Sequence, residues 1–194
     1  MCTYTGSCSD YCRGHLLGGE SNGYRRPAAA QHGLAYTDPF GLCPEDITGR
    51  PCKNPLGTKE LQLRPGLGAF GGNAQRTRGI HGGVDLLAPA GSDVTAADEG
   101  VVQFRNEPGG FGTYAVVWHG GSATVYAHLS GTADGLKTGD RVKAGQVIGS
   151  TGSTGNAEGT PPHLHFEIWT DFQKVGRGGT EGRRDPWPEL NKKQ

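Results

Sequence analysis

From Leu61 onward no stretch keeps a helical apolar period for about three turns, so a helical domain is excluded there. Short apolar runs alternate instead with turn residues. The runs are Val84–Leu87, Asp93–Ala96, Gly100–Phe104, Thr113–His119, Ala123–His128, Val142–Ile148 and His163–Trp169. Between them stand Ala90–Gly91, Pro108–Gly109–Gly110, Gly120–Gly121, Thr138–Gly139–Asp140 and the stretch Ser150–Gly155. Each of these favours a reversal of the chain. Short strands joined by tight turns predict an all-β domain with a compact antiparallel sheet over residues 61–194.

Residues 1–60 read differently. They hold all five cysteines (Cys2, Cys8, Cys12, Cys43 and Cys52) and little periodicity, which predicts an irregular segment with at most a short helix around Ala28–His32. No two cysteines form a C-x-x-C pair, which argues against a structural zinc knuckle. An odd count leaves one thiol outside any intramolecular pairing, and disulfides or structural thiols both remain open.

Composition narrows the partners. Nineteen basic and nineteen acidic residues give zero net charge, whereas nucleic acid or an anionic membrane surface would demand a basic excess. No apolar run approaches the roughly 20 residues of a membrane span. The N-terminal MCTYTGSCSDYC has neither the basic start nor the apolar stretch of a secretory signal. A monomer acting without a signal peptide of its own is the expectation.

The chemistry lies in the histidines, at positions 15, 32, 81, 119, 128, 163 and 165. In PPHLHFEIW, Leu164, Phe166 and Ile168 alternate with His163, His165 and Glu167, so a strand here turns both imidazoles to one face and the apolar side chains to the other. A polar, solvent-facing strand surface has the same letters. In His81–Gly82–Gly83–Val84–Asp85, the glycines relax the backbone enough for an imidazole and a carboxylate to fold back on one cation. A turn with Asp85 as its cap is equally compatible. Completed by a third histidine, such a set gives three protein ligands with a fourth position for water, the arrangement of a catalytic zinc. Tyr126 and His128 share a face of the Thr-Val-Tyr-Ala strand, and His119, next to a Gly-Gly turn, reads as structural or exposed.

The segments IHGGVDLLAPAGSDVTAADEGVV, GGFGTYAVVWH, TVYAHLS, LKTGDRVKAGQVIGSTGSTG and HLHFEIW together resemble the lysostaphin/LytM-type zinc metalloendopeptidases, in order and spacing, over about residues 66–190. The resemblance implies a peptidoglycan hydrolase whose antiparallel sheet lines a zinc-containing groove. It implies His81, Asp85 and His165 as zinc ligands, and His128 and His163 as catalytic residues beside the metal. No H-E-x-x-H helix is present to supply a glutamate base, so proton transfer falls to the two unliganded histidines. Their acid and base roles stay undivided. The peptide of bacterial peptidoglycan is the implied substrate, with the D-alanyl–diaminopimelyl cross-link preferred over a polyglycine bridge.

Upstream, LAYTDPFGLCPE resembles the boundary that closes the core of Rhs/YD-repeat polymorphic toxins, around residues 36–45. A plain Asp-Pro-Phe-Gly turn is the alternative. The toxin resemblance implies delivery into the periplasm of a target bacterium and a cognate periplasmic immunity protein as partner. An endogenous wall-remodelling hydrolase and a non-catalytic binding or activator module are the competing expectations.

Overall fold

The computed structural model describes residues 53–57, 60–72, 79–176 and 179–191. The five cysteines, the helix expected around Ala28–His32 and the toxin-like boundary at 36–45 lie outside the described residues, as do His15 and His32.

Nine strands form one antiparallel sheet: β1 (Val84–Leu87), β2 (Asp93–Thr95), β3 (Gly100–Glu107), β4 (Gly112–Trp118), β5 (Ala123–Thr132), β6 (Arg141–Val142), β7 (Val147–Thr151), β8 (His163–Trp169) and β9 (Arg183–Arg184). The main path runs β1-β8-β5-β4-β3-β6, with β7 joining β5 to β2, and β9 on β8. The all-β antiparallel expectation therefore holds. One expected strand does not. Val142–Ile148 is split into β6 and β7 by a turn in which the Gln146 N–H donates to the Lys143 carbonyl (2.9 Å), with Gly145 at φ +84°. A four-residue helix, α1 (Trp187–Leu190), closes the described chain. Neither α1 nor the two-residue β9 is long enough to show a period.

The central strands bury both faces. On one side Leu164, Phe166 and Ile168 of β8 join Tyr126, Val117, Leu86 and Ile148. On the other, Val125 and Ala127 of β5 pack with Trp118 and Trp169. Burying each large side chain is worth roughly 1.5–3 kcal/mol against the entropy of ordering the strands. Every residue of β8 is buried, so its histidine face is not a solvated strand surface. His119 is buried as well, and structural. Its Nδ1–H donates to the Glu99 carbonyl (2.6 Å) and its Nε2 accepts from Thr124 (3.0 Å). Thr124 in turn meets the Tyr126 hydroxyl (2.9 Å), which receives the Ala97 N–H (2.7 Å).

Candidate metal centre

The β1–β8 register sets Asp85 directly opposite His165 and Leu87 opposite His163. Directly opposed residues of antiparallel strands bring their side chains within contact range when they share a face. His81 precedes β1 and is tied by its backbone to Gly71, each donating its N–H to the other's carbonyl (2.8 and 2.9 Å). Three donor atoms then converge. His81 Nε2 lies 3.0 Å from Asp85 Oδ1, His165 Nδ1 lies 2.9 Å from the same oxygen, and the two ring nitrogens are 2.9 Å apart.

The two glycines of the turn serve a purpose other than the one expected. Neither has a positive φ. What they supply is close approach: a Cβ at Gly83 would stand 2.2 Å from the Phe166 carbonyl oxygen, and one at Gly82 would stand 2.7 Å from Arg183 Nε. The turn is held flat against β8 because it carries no side chains there.

All three donors are buried. Burial works to raise the pKa of Asp85, but hydrogen bonds from His165 and His81 overcome it and hold the carboxyl well below its usual range. His165 is flanked by two carboxylates. Its Nδ1 faces Asp85 and its Nε2 faces Glu167 Oε1 (3.0 Å). Burial opposes its charge, yet these two hydrogen bonds push it up to about 9. The His81 Nδ1–H is taken by the Ala69 carbonyl (2.8 Å), which leaves Nε2 as a lone pair. Two nitrogens and one carboxylate oxygen packed into a triangle, with both rings oriented from behind, fit a divalent zinc. The fit comes from the donor chemistry: a cation at this point replaces the shared proton and satisfies all three atoms at once.

His128 and His163 stand beside this triangle. Their rings lie 5.1 Å apart, and the His128 ring is 5.7 Å from that of His165. His163 Nε2 is 4.0 Å from Asp85 Oδ1, outside the triangle. Each carries its Nδ1–H to a backbone carbonyl, His128 to Thr154 (2.9 Å) and His163 to Pro161 (2.8 Å). Each therefore presents Nε2 as an acceptor when neutral. Burial pushes His128 down to about 3, helped by the charges of His165 and His163, and burial likewise lowers His163. The shared strand face expected for Tyr126 and His128 is not found. Tyr126 packs into the core against Phe166 (ring centroids 5.2 Å apart), while His128 adopts φ +64° and turns to the opposite side. β5 breaks register there, leaving β8 after Ala127 and pairing with β7 from Leu129.

Glu167, Arg183 and Phe111 also border the site, and none of them carries a role in the sequence reading. Glu167 had a readable signal, since it continues the His163–His165 alternation. Phe111, whose ring lies 5.4 Å from His165, and Arg183 had none.

The model of peptidase family M23 matches residues 79–177, half of the chain, and spans all five of these positions. The chain belongs to peptidase family M23. The DD-carboxypeptidase/endopeptidase Mpg of Neisseria meningitidis serogroup B is 40% identical over 97 residues, 50% of this chain and 21% of that one. The L-Ala–D-Glu endopeptidase of Bacillus subtilis is 40% identical over 134 residues, 62% of this chain and 36% of that one. Among solved structures, the catalytic domain of the antimicrobial peptidase lysostaphin from Staphylococcus simulans shares 32% identity and a TM-score of 0.52, covering 65% of this chain and 90% of that one. The chain spans only 21% and 36% of the two full-length relatives, so the likeness is that of one M23 domain. The cofactor of this M23 domain is zinc.

Proposed function

We propose that this chain is a zinc-dependent endopeptidase that cuts peptide stems or cross-links of bacterial peptidoglycan. The observation that carries the reading is the convergence of five buried groups: the triangle His81–Asp85–His165, which would hold the metal, and His128 with His163 beside it. A binding module needs no such set.

When bound, zinc supplies Lewis acidity, enough to bring the pKa of a water ligand to roughly 7. The chain's own residues do the rest. His128 and His163, neutral in their buried setting and pinned at Nδ1, offer two Nε2 acceptors on rings 5.1 Å apart. A neutral imidazole there takes the proton from the attacking water, and an imidazolium returns one to the leaving amine. Until it gives that proton up, the imidazolium's Nε2–H also stabilises charge growing on the scissile carbonyl oxygen. Phe111, packed on Tyr114 (ring centroids 5.3 Å apart) and facing His165, forms an apolar wall beside them.

The relatives cut different bonds, a D,D bond for Mpg and L-Ala–D-Glu for the Bacillus subtilis enzyme. A D,D cross-link is the reading adopted here. Digestion of purified cell walls with and without a chelator, followed by mass spectrometry of the released muropeptides, tests both zinc dependence and the bond. Intact walls after treatment with the zinc-loaded protein would refute the enzymatic reading.

A toxin role is supported by the Rhs-like segment at 36–45. On this reading the domain acts in the periplasm of a target cell, where an immunity protein covers the groove. A standard interface of roughly 1,600 Å² would suffice for that. The chain should be harmless in a bacterial cytoplasm and lytic when fused to an export signal, with lysis lost in His81→Ala. Equal toxicity in both compartments would overturn it.

A further inference from the structure

Behind the donor triangle lies a second buried cluster that the mechanism above does not use. Glu167 follows His165 on the same face of β8 and is itself buried. Its Oε1 receives the His165 Nε2–H (3.0 Å), and its Oε2 receives the Arg183 Nε–H (2.7 Å) and the Trp169 indole N–H. Arg183 is held in turn, donating to the Gly179 carbonyl (3.0 Å) and the Gly176 carbonyl (2.9 Å). Glu167 is thus fixed at both oxygens and Arg183 at all three nitrogens. Arg183 lies on β9, beyond the 79–177 span that matches the family model.

We propose that Glu167, clamped by Arg183, is a positioning residue that fixes the ring of His165 with Nδ1 turned toward the metal. On this proposal the C-terminal segment 179–184 tunes zinc affinity from outside the donor set. It rests on the zinc reading above. A buried ion pair contributes little net stability, because desolvation offsets much of the attraction. Its value must then lie in what it orients. The Arg183–Glu167 pair touches both halves of the donor set: His165 through the hydrogen bond, and the His81–Asp85 turn through close packing on Gly82, where a Cβ would stand 2.8 Å from Glu167 Oε1. A carboxylate behind a ligating imidazole sets the tautomer that leaves Nδ1 free for the cation. Neither a rotated ring nor a neutral partner would do this as well.

The test compares zinc dissociation constants, by competition with a chromophoric chelator, for the full chain and for Glu167→Gln, Arg183→Met and the double variant. Urea unfolding in excess EDTA reads the metal-free fold in parallel. Glu167→Gln keeps the shape and a hydrogen-bond acceptor but removes the charge, and should weaken zinc about 10–100-fold. Arg183→Met should weaken it less, and should add nothing once Glu167 is Gln, because Arg183 acts through that carboxylate. Zinc affinity unchanged in Glu167→Gln, or effects of the two changes that simply add, would overturn the proposal. Should Glu167→Gln fail to fold, Arg183→Met against Arg183→Lys carries the same comparison, with affinity recovered in Lys expected and equal affinity in both overturning it. Failure of the unmodified chain to bind zinc one-to-one would sink the zinc reading itself, and is distinguishable from a clamp that does nothing.

Discussion

Two neighbouring strands deliver three of the four site histidines, and they do so by opposite means. β8 is regular: strict alternation sends Leu164, Phe166 and Ile168 into the core, and His163, His165 and Glu167 to the other face. β5 is regular only as far as Ala127. There the chain enters the left-handed region at His128, φ +64°, and changes partner from β8 to β7. Without that break, alternation would put His128 on the core side with Tyr126. Asp85 and His165 of the donor triangle sit on regular strands, but bringing His128 against them required a bulge. Bulges that re-aim a side chain are concentrated near active sites.

The largest effect should come from the regular half. Asp85→Ala removes the only anionic donor of the triangle, and should abolish zinc binding and wall hydrolysis together. Elemental analysis after gel filtration checks the first and turbidity clearing the second. EDTA should reproduce the loss in the unmodified protein, and added zinc should restore it there but not in the variant. Full zinc occupancy in Asp85→Ala would remove Asp85 from the donor set.

The next effect separates the flanking pair from the triangle. His128→Ala and His163→Ala should each keep zinc and lose turnover by roughly two to four orders of magnitude, the worth of positioned proton transfer with charge stabilisation. A variant that loses its zinc instead would belong among the ligands. His163 is the more exposed to this outcome, since its Nε2 stands only 4.0 Å from Asp85 Oδ1 and it shares a strand face with His165.

The difference between the strands also explains what could be read in advance. Alternation is a local property, so β8 and the shared face of His163, His165 and Glu167 were legible from PPHLHFEIW alone. The choice of His165 over His163 as a ligand came only from the family resemblance. The pairing of His81 with Asp85 was legible too, though the reason offered for its glycines was conformational freedom, and the structure shows close approach to β8. The side of β5 that His128 takes was not legible, because no residue type there demands a positive φ. Arg183 was invisible for another reason: its role depends on a two-residue strand some sixteen positions from its partner, Glu167. Gly83→Ala tests the close approach. A Cβ 2.2 Å from a backbone oxygen must push β1 off β8, and should cost roughly 1–3 kcal/mol of stability as well as zinc. An unchanged unfolding midpoint would mean that the glycine is there for flexibility after all.

The smallest effect is the sharpest probe of the contrast, because it carries opposite signs in the two strands. A non-glycine residue in the left-handed region is penalised by roughly 1–2 kcal/mol, since its Cβ crowds the following carbonyl oxygen. His128 bears this strain and glycine would not. His128→Gly should therefore be more stable than His128→Ala by about 1 kcal/mol, although both lack the imidazole and both should be catalytically crippled. At His163, on regular β8, the order should reverse, with glycine less stable than alanine by roughly 0.5–1 kcal/mol through its greater entropy in the unfolded chain. Both pairs delete the same ring, so the Gly-minus-Ala difference isolates the backbone from the lost contacts of the side chain. Urea unfolding in EDTA, with equal slopes within each pair, is the measurement that compares them. The same order at both positions would mean that the turn at His128 stores no strain, and that β5 delivers its histidine as passively as β8 does.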